Sequence, residues 1–280
     1  MNRLFVSISG GKTSGYMSYL IKKEYDSKIP LQFVFANTGQ ENEETLEFVH
    51  ECSTNFDLGV TWLEALVDPR HGKGIRHTIV DYETASRNGE PFEAFIAKSG
   101  IPNVTYPSCS DRLKALPIES YKKSIGWSGC SHAIGIRDDE SRRKAKNPSK
   151  YNLVYPLCDW FPSDKSDVND FWDSQNFSLG LEEHEGNCKT CWKKSDKKLF
   201  LLALEHPERF DFMATMESKY RHVKPNSRNG QDRVFFRQHR DATDIMRQAK
   251  EFTPEQLREH IGLHPDSGGG CSESCEAYGD

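Results

Sequence analysis

Apolar residues in the first half of the chain come in short solid runs that alternate with helically spaced ones. Leu4-Phe5-Val6-Ser7-Ile8 and Leu31-Gln32-Phe33-Val34-Phe35-Ala36 are such runs, and residues 60–67 and 129–136 repeat the pattern. Between the first two, residues 13–25 carry Tyr16, Met17, Tyr19, Leu20 and Ile21 at helical spacing. After the second, residues 43–52 carry Leu46, Phe48 and Val49. Near-continuous apolar strands alternating with helices predict an α/β fold, a doubly wound and mostly parallel sheet covered on both faces. Residues 69–107 break the rhythm and contain Gly72, Gly74, Gly89 and Gly100, so a long loop with helical pieces is expected there. Further helices are expected over 167–177 and 197–204. Thr253-Pro254-Glu255-Gln256 reads as a helix start, with a threonine cap and a proline at the first position. Residues 267–275 have the composition of a flexible tail.

The first strand runs directly into Ser9-Gly10-Gly11-Lys12-Thr13-Ser14 and then into a helix. Glycines let the backbone turn tightly and approach a ligand closely. The free N–H groups of the helix start and its dipole favour an anion. Three hydroxyls and the Lys12 ammonium add donors, so a phosphate group is the expected guest; an ordinary strand–helix turn is the plain alternative. In parallel sheets ligands bind beyond the carboxyl ends of the strands. Asn37-Thr38-Gly39-Gln40-Glu41 and Arg137-Asp138-Asp139-Glu140 are expected at that same edge.

The chain is 28% charged with a net charge of −5, which gives no global reason to bind nucleic acid. Charge is nevertheless local. Arg137 to Lys150, Lys189 to Lys198 and Arg233 to Arg240 each hold a cluster of basic residues, and a local anionic partner is expected from them. No apolar stretch approaches the roughly 20 residues of a membrane helix, and no signal peptide is visible at the N-terminus, so a cytoplasmic protein is expected. There eight cysteines speak for metal or redox chemistry rather than a disulfide framework. Cys188-Lys189-Thr190-Cys191 has the spacing of a zinc half-site, a redox pair or half of an iron–sulfur site. Cys52, Cys130 and Cys158 lie in apolar runs and are expected to be buried small hydrophobes. No histidine is assigned to catalysis; His50, His132 and His206 are read as structural.

Taken in order, the Ser-Gly-Gly-x-x-Ser loop, the Asn-Thr-Gly-x-Glu turn, Cys109 with Arg112, Lys114 and Pro117, the Gly-Ile-Arg-x-x-Glu stretch at Gly135 to Glu140 and the Tyr-Pro-Leu-x-x-Trp stretch at Tyr155 to Trp160 resemble the phosphoadenosine phosphosulfate (PAPS) reductase family of the PP-loop superfamily. The resemblance implies a nucleotide-binding domain over 1–190, followed by a helical extension with a cysteine tail over 191–280. It implies ATP or a PAPS-like adenine nucleotide, with Mg²⁺ alongside, bound by Ser7, Ser9, Gly10, Gly11, Lys12, Thr13, Ser14, Asn37, Thr38, Gly39, Glu41, Gly135, Arg137 and Glu140. Lys12, Arg137 and Cys109 are the catalytic candidates. The family's reductases end in a Glu-Cys-Gly-x-His stretch that this chain lacks, and the first loop is more like that of superfamily members that cleave ATP to AMP and pyrophosphate.

Some iron–sulfur members of the superfamily place cysteines well upstream of a C-x-x-C pair, as Cys109 stands here, although Ser108 replaces their second cysteine. By that resemblance Cys109, Cys188 and Cys191, with Cys271 or Cys275 as the fourth ligand, are expected to hold a 4Fe–4S cluster, with zinc as the alternative. The expected chemistry is sulfonucleotide reduction or ATP-dependent sulfur transfer to a nucleic-acid target, with a redox or sulfur-donor protein as a further partner. Two rivals stand beside it: a zinc-containing nucleic-acid-binding protein using the two cysteine pairs, and a nucleotide-binding module without turnover. The oligomeric state is not expressed in any motif.

Overall fold

A computed structural model describes residues 2–70, 72–224 and 230–261. Its centre is a six-stranded sheet of order β4-β3-β2-β1-β5-β6. The strands are β1 (Leu4–Ile8), β2 (Leu31–Asn37), β3 (Thr61–Val67), β4 (Ile75–Val80), β5 (Ser131–Ala133) and β6 (Leu153–Val154). All neighbours are parallel except β3 and β4. The period of two sorts the side chains. Leu4, Val6 and Ile8 of β1 and Phe33 and Phe35 of β2 pack on one face, under α1 (Lys12–Tyr25) and α2 (Glu43–Asn55). Phe5, Val34 and Ala36 pack on the other. The sheet is therefore doubly wound, as the alternation predicts.

The segment 69–107 is more regular than its glycines suggest. It contains the antiparallel edge strand β4 and helix α3 (Glu90–Ser99), which starts after Gly89 with Pro91 in its first turn. Conversely, the run 129–136 yields only the short β5. Gly129 has a positive φ, the Cys130 N–H closes a turn onto the Trp127 carbonyl, and Ile136 N–H bonds to Ile134, which takes the chain out of the sheet. A π-helical turn at Asp111–Ala115 leads into α4 (Leu116–Ser124), whose Ile118 and Tyr121 cover the second sheet face. Then come α5 (Pro156–Asp159), α6 (Lys165–Asp173), α7 (Asp196–Glu205), α8 (Asp211–Tyr220), α9 (Ala242–Ala249) and α10 (Pro254–Ile261). Helix α6 starts earlier and ends sooner than expected, because Asp164 and Asp167 form a reciprocal capping box.

Helices α7 to α10 do not stand apart. Leu199, Leu201, Leu202, Phe210, Met213 and Ile245 share one core cluster with Phe92, Phe95 and Ile96 of α3 and with Leu113. Among the described residues no helix is long and apolar enough to cross a membrane. Cys52 and Cys130 are buried, and burial pushes both thiols up, Cys52 most strongly. Cys158 is only half-buried; it packs against the second core face, and its thiol also donates to the Ile136 carbonyl at 3.3 Å.

Candidate active site

The sheet order reverses direction at β1, and the crevice beyond β1 and β5 is where a ligand would sit. The Ser9–Ser14 loop lies there and is closed on itself by Ser14. The Ser14 hydroxyl accepts from the backbone and side chain of Ser9, both at 3.0 Å, and donates to the Gly11 carbonyl at 2.9 Å. Gly10 has φ +87°, and a Cβ there would stand 2.4 Å from Thr45 Cγ2. Gly135, two residues beyond β5, faces the helix start so closely that a Cβ would lie 3.0 Å from Ser14 Cα. The two glycine positions thus let strand, loop and helix come together. Trp172 of α6 clamps the helix start by donating to the Lys12 carbonyl at 2.9 Å.

Gly11, Lys12 and Arg137 line a cavity of about 240 Å³ together with Lys165, Asn169 and Gly186. Lys165 and Asn169 escaped the sequence reading because a polar helix face gives no motif. Arg137 is almost fully buried. It donates to Thr13 Oγ1 at 3.2 Å and to Asp139 at 2.9 Å, and lies 3.5 Å from Glu140. Glu140 also holds Arg143 at 2.8 Å. Two carboxylates thus aim the Arg137 guanidinium at the loop. Ser7 lies within the sheet, where its hydroxyl bonds His132 Nε2 at 2.7 Å, and burial keeps that imidazole neutral by lowering its pKa well below the usual value.

The turn after β2 organises a second cavity. Glu41, 2% exposed, accepts from the Thr38 N–H at 2.9 Å and from its hydroxyl at 2.8 Å, and lies 3.8 Å from the Lys114 ammonium. Asn37 donates to Glu64 at 2.6 Å and to the Ser86 carbonyl, and accepts from the Gly39 N–H. Gly39 lies against Gly89, where a Cβ would meet backbone at 2.9 Å. Thr38 and Lys114 line a small cavity with Cys109, Cys188 and Cys191, so the fold gathers the three thiols that lie far apart in sequence. Gln40 Oε1 and Trp192 Nε1, from residues of the same wall, are buried without a hydrogen-bond partner.

A strap joins the two cavities. Cys188 forms an antiparallel bridge with Glu41, Lys189 N–H donates to the Gln40 carbonyl, and the Asn42 N–H donates to the Asn187 carbonyl, both at 2.8 Å. The Asn187 amide reaches the other way and donates to the Ser9 carbonyl at 2.8 Å. Asn187 was not foreseen, since one polar residue beside a C-x-x-C pair carries no signal of its own.

Three soft thiol donors suit iron or zinc in kind. As they stand, they leave too little room between them for a four-iron cluster. The cavity encloses about 30 Å³, room for one or two waters, and among the described residues no three Cys, His, Asp or Glu side chains converge on a metal-sized point. Cys271 and Cys275 lie outside the described residues.

Residues 3–160 match the phosphoadenosine phosphosulfate reductase domain family, and they contain the first loop, the Thr38–Glu41 turn, Cys109 and Arg137. The chain belongs to this family, within the PP-loop superfamily, and so to a class of sulfonucleotide-related enzymes that bind an adenine nucleotide. It is 30% identical over 279 residues to the uncharacterized nin region protein ORF290 of Escherichia phage lambda, covering 98% of this chain and 94% of that one. It is 24% identical to an uncharacterized protein of Methanocaldococcus jannaschii over 73% of this chain, but spans only 45% of that protein. Among solved structures, a PAPS reductase of Candida auris in complex with phosphate is similar at a TM-score of 0.39 and 16% identity, covering 62% of this chain and 72% of that one.

Proposed function

We propose that this protein is an adenine-nucleotide-dependent enzyme of sulfur chemistry, in which the Ser9–Ser14 loop holds the phosphate or sulfate end of the nucleotide and a thiol of the Cys109, Cys188 and Cys191 group works on the sulfur. The observation that carries this reading is the strap: Asn187 is bonded to the loop carbonyl of Ser9, and its neighbour Cys188 lines the thiol cavity. The loop N–H groups, Lys12 and Arg137 supply the fixed positive field that a transferring phosphoryl or sulfonyl group needs, and Mg²⁺ would share that task for a polyphosphate. On binding, Arg137 exchanges part of its hold on Asp139 and Glu140 for the ligand's oxyanion. Lys114, paired with Glu41, lines the same cavity as the thiols and adds a cation to it. With no Glu-Cys-Gly-x-His stretch in the chain, Cys109 is the nucleophile we favour for a sulfonucleotide: its thiolate attacks the sulfonate sulfur, forming a cysteine S-sulfonate as the S–O bond to the nucleotide phosphate breaks and the nucleotide leaves. Sulfur transfer to a nucleic acid is the alternative use of the same thiol.

The test combines binding and trapping. Calorimetry with ATP and with a sulfonucleotide should give affinity in the intact protein and none in Gly11→Val, whose side chain would stand where the phosphate approaches the backbone. Intact-mass analysis after incubation with the sulfonucleotide should find an adduct that Cys109→Ala removes. Unchanged affinity in a folded Gly11→Val protein would falsify the nucleotide site. An adduct that persists in Cys109→Ala would move the nucleophile to Cys188 or Cys191.

A cysteine-held iron–sulfur cluster, with zinc as its rival, is a second reading, favoured by the three thiols on one cavity. It requires the cavity to open, the thiols to converge and a fourth ligand, for which Cys271 and Cys275 are the candidates. Iron and sulfide analysis of protein prepared without oxygen decides it: stoichiometric iron lost in Cys188→Ala and Cys191→Ala supports the cluster, and metal-free wild-type protein that still turns over rejects it.

A further inference from the structure

Of the three basic runs in this acidic chain, two give several members to partners or burial within the fold, while Arg142, Lys146 and Lys150 stay exposed. Arg143 pairs with Glu140 and Lys144 with Asp159. Lys194 and Lys198 are buried, and Lys189 donates to the Arg87 carbonyl. The third run divides. Arg240 is buried against Asp196 and Gln248, whereas Arg233 and Arg237 line a surface cavity of about 440 Å³ with Asn103, Tyr106 and His239. No residue of this cavity belongs to the one at the nucleotide loop.

Both guanidinium groups are held in place, and among the described residues no carboxylate neutralises either. Arg233 lies over the Tyr106 ring at 3.7 Å and donates to the Ser99 carbonyl at 3.2 Å, while its Nε is buried without a hydrogen-bond partner. Gly100 makes room for it, since a Cβ there would stand 3.0 Å from Arg233 Nη1. Arg237 donates to the backbone carbonyls of Lys193 and Lys194. Carbonyl partners orient a cation without cancelling its charge. The carboxylate among the lining residues, Asp232, is already engaged by His222 at 2.6 Å. Two oriented forks with surplus positive charge at one cavity match the oxyanion of a phosphate group.

We propose that this cavity is a second anion site, separate from the nucleotide loop, that receives a phosphate group of a phosphate ester. Its walls adjoin the thiols through the chain: Tyr106 leads into Cys109, and the carbonyls that Arg237 holds follow Cys191 and Trp192. A phosphate seated here brings the rest of its molecule beside the cysteine cavity. The rim residues Val104, Thr105, Gln231 and Gln238 are exposed, so a longer chain can leave the cavity. The phosphate therefore comes either from a nucleic-acid strand or from a free nucleotide.

The two sources are separated by two probes on the full chain. Fluorescence anisotropy with a labelled oligothymidylate of about a dozen nucleotides reads the strand, and calorimetry with AMP in the Gly11→Val background reads the free nucleotide away from the loop. For the strand, the double variant Arg233→Gln/Arg237→Gln should lose at least about tenfold in affinity and reduce the salt slope by about one. Thr105→Glu adds a rim carboxylate without removing an arginine contact, and should weaken binding several-fold at an unchanged melting temperature; it decides the matter if the arginine variant does not fold. If only AMP binds, and the same variants abolish it, the site stands with a free nucleotide as its ligand. If the variants bind both probes as the wild type does, or the wild type binds neither, the site is wrong.

Discussion

At the scale of single residues, Gly10 is the most constrained position at the site. It combines φ +87° with a Cβ position 2.4 Å from Thr45 Cγ2, so any side chain meets both a left-handed backbone and a clash. Gly10→Ala should destabilise the protein by about 2 kcal/mol or more in urea denaturation and abolish nucleotide binding. Thr45→Ser removes the offending methyl and keeps the hydroxyl that donates to the Asn187 carbonyl at 3.3 Å. The pair Gly10→Ala/Thr45→Ser should therefore recover the steric part of the loss and leave the backbone part. Full recovery would mean that the positive φ carries no cost. The glycines themselves are legible in the sequence as a tight turn between strand and helix. That Thr45 fixes which of the two must be a glycine is not, because the contact crosses from the first loop to the second helix.

Among the elements, α8 holds the most unusual titrating group away from the site. Glu217 is buried, and its two oxygens accept from the Phe235 N–H at 2.9 Å and from the Ala242 N–H at the start of α9 at 2.8 Å. Burial pushes its carboxyl up to about 7, although the two backbone donors pull the other way. A carboxyl with a folded-state pKa above its unfolded value near 4.3 stabilises the fold at low pH, and that contribution is lost as pH rises through about 7. Stability should thus fall by up to about 3 kcal/mol between pH 5 and 8 on this account, read as a falling melting temperature. Glu217→Gln should flatten that slope and lower stability overall, because the amide nitrogen cannot accept the second N–H. An unchanged slope in Glu217→Gln would assign the pH dependence elsewhere. Helix α9 could have been read, since Asp241 and Asp244 form a reciprocal capping box ahead of an apolar Ile245. Helix α8 could not, because Met213 and Met216 give a weak periodic signal and its burial depends on α3.

At the scale of the whole molecule, the C-terminal helices complete the core on which the site rests. Phe92, Phe95, Ile96 and Leu113 are covered by residues from α7 to α9, and the π-helical turn that carries Leu113 also carries Lys114 of the cysteine cavity. A chain truncated after residue 190 should therefore expose this apolar layer, bind a hydrophobic dye and elute as aggregates. A monodisperse truncated chain with intact near-ultraviolet dichroism would show that the first part folds alone.

By itself the sequence determined the central sheet, the loop after β1 and the family, because these rest on local periods and on glycine, cysteine and hydroxyl residues at close spacing. Only the tertiary structure decided the rest. It made an edge strand of 75–80 by pairing it with β3, and cut β5 to three residues where Gly129 and the turn at Ile136 bend the chain. It tied the loop after β1 to the segment carrying Cys188 and Cys191 through Asn187, and gave Arg143, Lys144 and Lys189 partners within the fold while leaving Arg233 and Arg237 at an open cavity. The physical reason is range. Strand and helix periods are written in neighbouring residues, whereas hydrogen bonds between Ser9 and Asn187, or the meeting of Cys109 with Cys188, depend on how distant segments pack.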